Sequence, residues 1–181
     1  MSVLGRVIGN GAEITGKVFG SKRIPTAKGQ AFPAYDPRGI KGLGVTFATS
    51  PMGADHTAGY TFPVNIDHHS SEGQLELSRQ SQIIRTPLDA WGICSFIQPA
   101  LMGNWELLIQ MINAVQGTNY TVDSLRSIGE KIIKLERQFN KAAGVKENDV
   151  IPEFIRCEPL PPYNLIFDVD REGINKLFED L

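Results

Sequence analysis

Thr121-Val122-Asp123-Ser124-Leu125-Arg126-Ser127-Ile128-Gly129-Glu130-Lys131-Ile132-Ile133-Lys134-Leu135-Glu136-Arg137-Gln138-Phe139-Asn140-Lys141-Ala142-Ala143-Gly144 is the stretch on which the fold class turns. Val122, Leu125, Ile128, Ile132, Leu135, Phe139 and Ala143 fall at spacings of three and four, the repeat of a helix that buries one face. Lys131, Lys134 and Lys141 fall off that face. The spacing therefore predicts a long helix from Thr121, with Val122, Leu125, Ile128, Ile132, Leu135 and Phe139 turned to the core and the lysines mostly to water. Gly144 ends it, because glycine accepts the left-handed conformation that follows a helix.

Helical signals continue on both sides. Asn104 opens a second helix through Trp105, Leu108, Met111, Ile112 and Val115, stopped by Gly117. Gln74 to Arg85 has helical composition, and Pro87 is expected to break it before Leu88. Asp36-Pro37 reads as a helix start, with Asp36 as cap and Pro37 at the first position. The helix this predicts runs to Ser50 and carries Gly39, Gly42 and Gly44, each unfavourable in a helix interior by up to about 1 kcal/mol. Something must then pack tightly on that backbone, either a neighbouring helix or a ligand. Leu4, Val7 and Ile8 predict a short helix closing at Gly9 or Gly11, and Ile24 to Ala34, with Pro25 and Pro33, an extended connector. Met52 to Tyr60 reads as a compact turn, and His68-His69 as a polar loop. A short amphipathic helix with Ile174, Leu177 and Phe178 closes the chain. Strand alternation is scarce, so the fold class is mainly α. Residues 1–30 are read as a remnant of a preceding domain or connector, and residues 31–181 as a helical domain.

With 181 residues, 41% hydrophobic and 21% charged, the chain has the composition of a globular protein. A net charge of -2 gives no electrostatic reason to expect nucleic acid or an anionic membrane as partner. No apolar run approaches the roughly 20 residues that span a bilayer. No export signal is recognised at the N-terminus, so the expected location is the cytoplasm. Two cysteines, Cys94 and Cys157, lie far apart and in no C-x-x-C pair, so no complete zinc or iron–sulfur site can be built from them.

Two places can carry chemistry. His56, between Asp55 and Thr57 in the glycine-bounded turn, either stands at a pocket wall where an imidazole moves protons or is a hydrogen-bonded structural histidine. In Asp89-Ala90-Trp91-Gly92-Ile93-Cys94 the carboxylate can accept paired hydrogen bonds, the glycine lets the backbone approach a ligand, and the thiolate can bind iron. The same residues also suit a helix-start aspartate, a packing glycine and a buried thiol.

Four blocks, in order, resemble the aldehyde ferredoxin oxidoreductases. They are Pro33-Ala34-Tyr35-Asp36-Pro37-Arg38-Gly39 with Ala48-Thr49-Ser50-Pro51-Met52-Gly53-Ala54-Asp55-His56-Thr57; Asp89 to Cys94; Ile132-Ile133-Lys134-Leu135-Glu136-Arg137-Gln138-Phe139-Asn140; and Ile151-Pro152-Glu153-Phe154 with Glu158-Pro159-Leu160. The resemblance implies the C-terminal portion of an enzyme that uses a tungstopterin (or molybdopterin) and a 4Fe–4S cluster to oxidise aldehydes to carboxylic acids, with ferredoxin as electron acceptor. It implies that Asp89 and Ile93 hydrogen-bond the pterin, through carboxylate and backbone. It implies further that Cys94 ligates the cluster and that His56 assists proton movement. The family's N-terminal cofactor-cradling domain, its other cluster cysteines and the glutamate opposite the histidine have no counterpart in this sequence. The expected partners are therefore those missing domains or a companion subunit, with no cofactor bound to this chain alone. A stand-alone helical partner-binding module is the alternative, favoured if Gly39 to Phe47 and Trp91 are exposed. A thiol enzyme pairing Cys94 with His56 is another.

Overall fold

The structure is a computed structural model that describes residues 2–101, 103–145 and 150–181. Its helices, in chain order, are α1 (Val3–Gly9), α2 (Gly11–Val18), α3 (Lys41–Thr49), α4 (Gln74–Ala90), α5 (Gln98–Leu101), α6 (Trp105–Gln116), α7 (Ser124–Ala142), α8 (Glu153–Cys157) and α9 (Arg171–Lys176). Two antiparallel strands, β1 (Thr26–Ala27) and β2 (Gln30–Ala31), are the only named strands among the described residues. The fold is mainly α, as the periodicities require.

α3 forms the centre, with all nine of its residues buried. Its glycines serve packing against protein. A Cβ at Gly44 would come within 2.4 Å of the Phe167 ring, and one at Gly42 within 2.7 Å of Gln74 Oε1. Neighbouring side chains therefore occupy the space left open above for a helix or a ligand. The helix starts later than its sequence suggested, at Lys41. Asp36 does not cap it: its carboxylate takes the Arg38 backbone N–H at 2.9 Å and both Nε and Nη2 of the Arg38 guanidinium. Burial works against this carboxylate, yet the Arg38 hydrogen bonds hold it below its ordinary pKa. Arg38 Nη1 then donates to the Glu158 carbonyl, tying the turn to the chain after α8.

α4 packs against α3 on one side and α7 on another. It runs through Pro87 rather than ending before it. Pro87 has no N–H to give Ile83, so the Ile83 carbonyl is free of that bond, and α7 approaches it at Gly129. A Cβ on Gly129 would lie 1.9 Å from that oxygen. This contact sets the rotation of α7. Leu125, Gly129 and Ile133 are buried, and Lys131, Lys134 and Lys141 face out. Leu135 and Phe139, expected inside, are 53% and 72% exposed on the flank of that face.

α6 ends at Gly117, whose φ of 65° is left-handed. α1 closes at Gly9 as the sequence predicts, whereas α2 was not foreseen. The connector contains the hairpin, turned by Lys28 and Gly29 with φ of 49° and 84°. Lys28 Nζ reaches the carbonyls of Ala48 and Ser50, placing a cation at the carbonyl end of α3. In α9, Asp170 caps the N-terminus through Gly173 N–H at 2.7 Å, and Ile174, Leu177 and Phe178 are buried as their spacing predicts.

Candidate cofactor-facing site

Two chain reversals build the site. The first follows α3. Gly53 sits at φ +94°, and a Cβ there would come within 2.2 Å of the Ala27 carbonyl, so only glycine lets the hairpin press on this turn. Asp55 Oδ1 accepts the N–H and the hydroxyl of Thr57, both at 2.8 Å. That fixes the backbone on either side of His56. The imidazole lies 5.5 Å from the Tyr35 ring and 6.2 Å from Tyr60, between centroids. Burial, then the neighbouring Tyr35 hydroxyl, raises the Tyr60 phenol above its ordinary pKa.

The second reversal follows α4. Gly92, at φ 71°, ends the helix with its N–H on the Asp89 carbonyl, and Ile93 N–H bonds the Leu88 carbonyl, both at 2.9 Å. These paired bonds close the helix and project Cys94 into the turn Ser95–Ile97. Arg85, buried in the last turns of α4, donates to the Ser95 hydroxyl and stands 3.5 Å from Asp89. It holds both sides of the loop. Arg85 was missed in the sequence, although its spacing of four from Asp89 was the available signal.

His56 and Cys94 meet at one cavity of about 560 Å³, with Tyr35, Tyr60, Phe96 and Pro99 also on its wall. Asp89 lines a neighbouring hollow of about 380 Å³ with Asp55 and Glu136, and Thr57 borders both. Ile93 lines neither of these two. Because its N–H is already bonded, a backbone contact from Ile93 to a ligand would fall to its carbonyl. Cys157 closes α8, outside both hollows.

Burial raises the Asp89 carboxyl; Arg85 opposes this and Asp55 adds to it. Burial likewise raises Glu136, with the Asp89 charge adding. A carboxylate whose folded pKa is raised favours folding below its unfolded value, and that contribution is lost as pH rises through the folded one. Glu136 thus costs stability at neutral pH. Glu136→Gln should raise the melting temperature at pH 7 by about 1–3 °C for a partly screened group. It should also flatten the gain seen on acidification toward an ordinary carboxylate pKa of about 4.3. Thermal melts from pH 4.5 to 8 check this; an equal or lower melting temperature at pH 7 contradicts it.

Among the described residues no group of three or more His, Cys, Asp or Glu stands close enough to hold a metal ion. Cys94 is exposed and is the sole thiol at the cavity. One thiolate does not hold a four-iron cluster, which takes four ligands, so the residues fit one edge of such a site and not the whole.

The family profile described as aldehyde ferredoxin oxidoreductase, domains 2 and 3, matches residues 2–172. A tungsten-containing aldehyde ferredoxin oxidoreductase of Pyrococcus horikoshii is 31% identical over 161 residues, 83% of this chain and 26% of that protein. One from Thermococcus kodakarensis is 28% identical over 169 residues, 87% of this chain and 28% of that protein. The chain belongs to the aldehyde ferredoxin oxidoreductase family, and it spans about a quarter of the length of these curated relatives. No helix among the described residues is long and apolar enough to cross a membrane.

Proposed function

We propose that this chain contributes one edge of the cofactor site of a cytoplasmic, tungstopterin-dependent aldehyde ferredoxin oxidoreductase, and that it is inactive until other domains or a companion subunit complete that site. The observation that carries this is the meeting of His56 and Cys94, 38 positions apart (94 minus 56), at a single cavity. The two relatives, both tungsten-containing aldehyde ferredoxin oxidoreductases, support tungsten and an aldehyde substrate. Residues 31–181 are the contributing helical domain, with residues 1–30 as remnant or connector.

Cys94 would give one ligand to a 4Fe–4S cluster, and Asp89, oriented by Arg85, would receive a pterin edge with its remaining lone pairs. When bound, the tungsten centre supplies the two-electron oxidation of aldehyde to acid, with ferredoxin taking the electrons. His56, held by the Asp55–Thr57 turn and flanked by Tyr35 and Tyr60, would take or return a proton at a ring nitrogen. The Gly39–Phe47 surface that favoured a stand-alone module is not available, because α3 is buried. Phe96, Met111, Val115 and Phe139 remain exposed, and the completing polypeptide would cover part of this area. Cys94 makes no hydrogen bond with His56 among the described residues, which removes the support for a thiol nucleophile.

The test is reconstitution with a polypeptide carrying the part of the relatives' length that this chain does not span, expressed where tungstopterin and cluster assembly operate. The chain alone should reduce no viologen dye with an aldehyde, and the pair should. Dye reduction by the chain alone, or an inert pair that carries both metals, overturns the reading.

A further inference from the structure

We propose that Asn10 is a modification site, a slow one-way switch in which its side-chain amide is lost through an imide with Gly11 and α1 is loosened from α2. Asn10-Gly11 is the one Asn-Gly pair in the sequence. It forms the joint between the two helices, ending α1 and opening α2. The joint lies outside both hollows of the cofactor-facing site.

The reaction needs a backbone nitrogen with free access to the neighbouring asparagine side chain. Glycine supplies it, having no Cβ to shield its own N–H, and nothing lies within 4 Å of where a Cβ on Gly11 would stand. Gly11 is the first residue of α2, so its N–H has no acceptor within that helix. Both residues are exposed, and water and hydroxide reach them. The Gly11 nitrogen gives its proton to hydroxide and bonds to Asn10 Cγ. The bond from Cγ to Nδ2 then breaks, and ammonia leaves with a proton taken from water. Water opens the five-membered imide at one of its two carbonyls. Opening at Cγ leaves aspartate; opening at the main-chain carbon leaves isoaspartate, with one more carbon in the backbone. The sum is asparagine and water giving aspartate and ammonia, with no electrons exchanged.

The hydrogen bonds at the joint decide what this does. Asn10 Nδ2 donates to the Arg6 carbonyl at 2.6 Å, tying off the last turn of α1. A carboxylate in its place sets an acceptor against an acceptor, and adds negative charge at the negative end of the α1 dipole. For α2 the same charge falls at the favourable end, where aspartate caps as well as asparagine. α2 therefore stays while α1 loosens. Neither helix buries a residue, and a side-chain tie between them runs from Thr15 Oγ1 to the Val7 carbonyl at 3.2 Å. That thin anchoring also admits the attack, which requires Asn10 to leave its ψ of 7° so that the Gly11 nitrogen comes behind Cγ.

The full chain is incubated at pH 6, 7 and 8, and its peptides are mapped by mass, with isoaspartate read by enzymatic methylation. Asn10 should deamidate at least about tenfold faster than Asn104, Asn119 and Asn175, which are exposed too but precede Trp105, Tyr120 and Lys176. Its rate should climb about tenfold per unit of pH, following the deprotonated amide. Asn10→Ser, a capping side chain with no amide to lose, should leave that peptide unmodified. Asn10→Asp, which copies one product, should speed hydrogen exchange at the Val7, Ile8 and Gly9 amides about two- to tenfold over the parent. It should leave the melting temperature within about 2 °C, because the core lies elsewhere. Deamidation at Asn10 no faster than at the three comparison sites, a rate indifferent to pH, or unchanged α1 exchange in Asn10→Asp overturns the proposal.

Discussion

Gly129→Ala should lower the melting temperature by roughly 6–12 °C, equivalent to about 3 kcal/mol for a chain of this size. The reason is backbone against backbone. A methyl at Gly129 would stand 1.9 Å from the Ile83 carbonyl oxygen, with the carbonyl carbon at 2.9 Å. Neither atom belongs to a flexible side chain, so α4 and α7 must separate by more than 1 Å along much of their contact. That opens the packing around Leu125 and Ile133. Gly9→Ala is the control, since nothing lies within 4 Å of a Cβ there. It should be neutral, or stabilising by up to about 1 kcal/mol. Thermal melts of the two variants check the pair, and a Gly129→Ala protein as stable as the parent would mean that the helices do not meet through this glycine.

The second large effect is expected in the completed enzyme. Cys94→Ala removes the one thiol at the cavity and, on the proposed reading that this thiol would ligate a cluster, should abolish dye reduction, by a factor of about a thousand or more. His56→Ala should lower turnover about 10²–10⁴-fold, the range of a lost proton-transfer group, while iron and tungsten contents stay the same. The two variants thus separate through their metals rather than their rates. Loss of iron in His56→Ala, or full turnover in Cys94→Ala, would mean that the roles are assigned wrongly.

The existence of α6 and α7 was legible because apolar residues recur there at the helical period. The rotation of α7 was not, because counting apolar side chains gives no weight to Gly129, the residue that makes the closest contact. Leu135 and Phe139 belonged to the same repeat as Leu125 and are nevertheless exposed. Pro87 misled for a related reason: the carbonyl it releases packs against that glycine, so the helix continues through it. Asp36 was read as a cap, yet a carboxylate two residues before an arginine has a stronger partner than a backbone N–H. The hairpin was hidden between two prolines, and Lys28-Gly29 was its signal. At the site, His56 and Cys94 were legible from local motifs, and their meeting required the fold. Arg85 looked like one polar residue of an ordinary helix, and only its burial reveals that it faces Asp89 and bonds Ser95.

Tungsten and iron content, measured on the chain alone, on the chain joined by the completing polypeptide, and on that assembly with Cys94→Ala, tests the central claim most directly. The account predicts neither metal in the chain alone, both in stoichiometric amount in the assembly, and iron selectively reduced when the Cys94 thiol is removed. Stoichiometric tungsten in the chain by itself, or unchanged iron in the Cys94→Ala assembly, would contradict it.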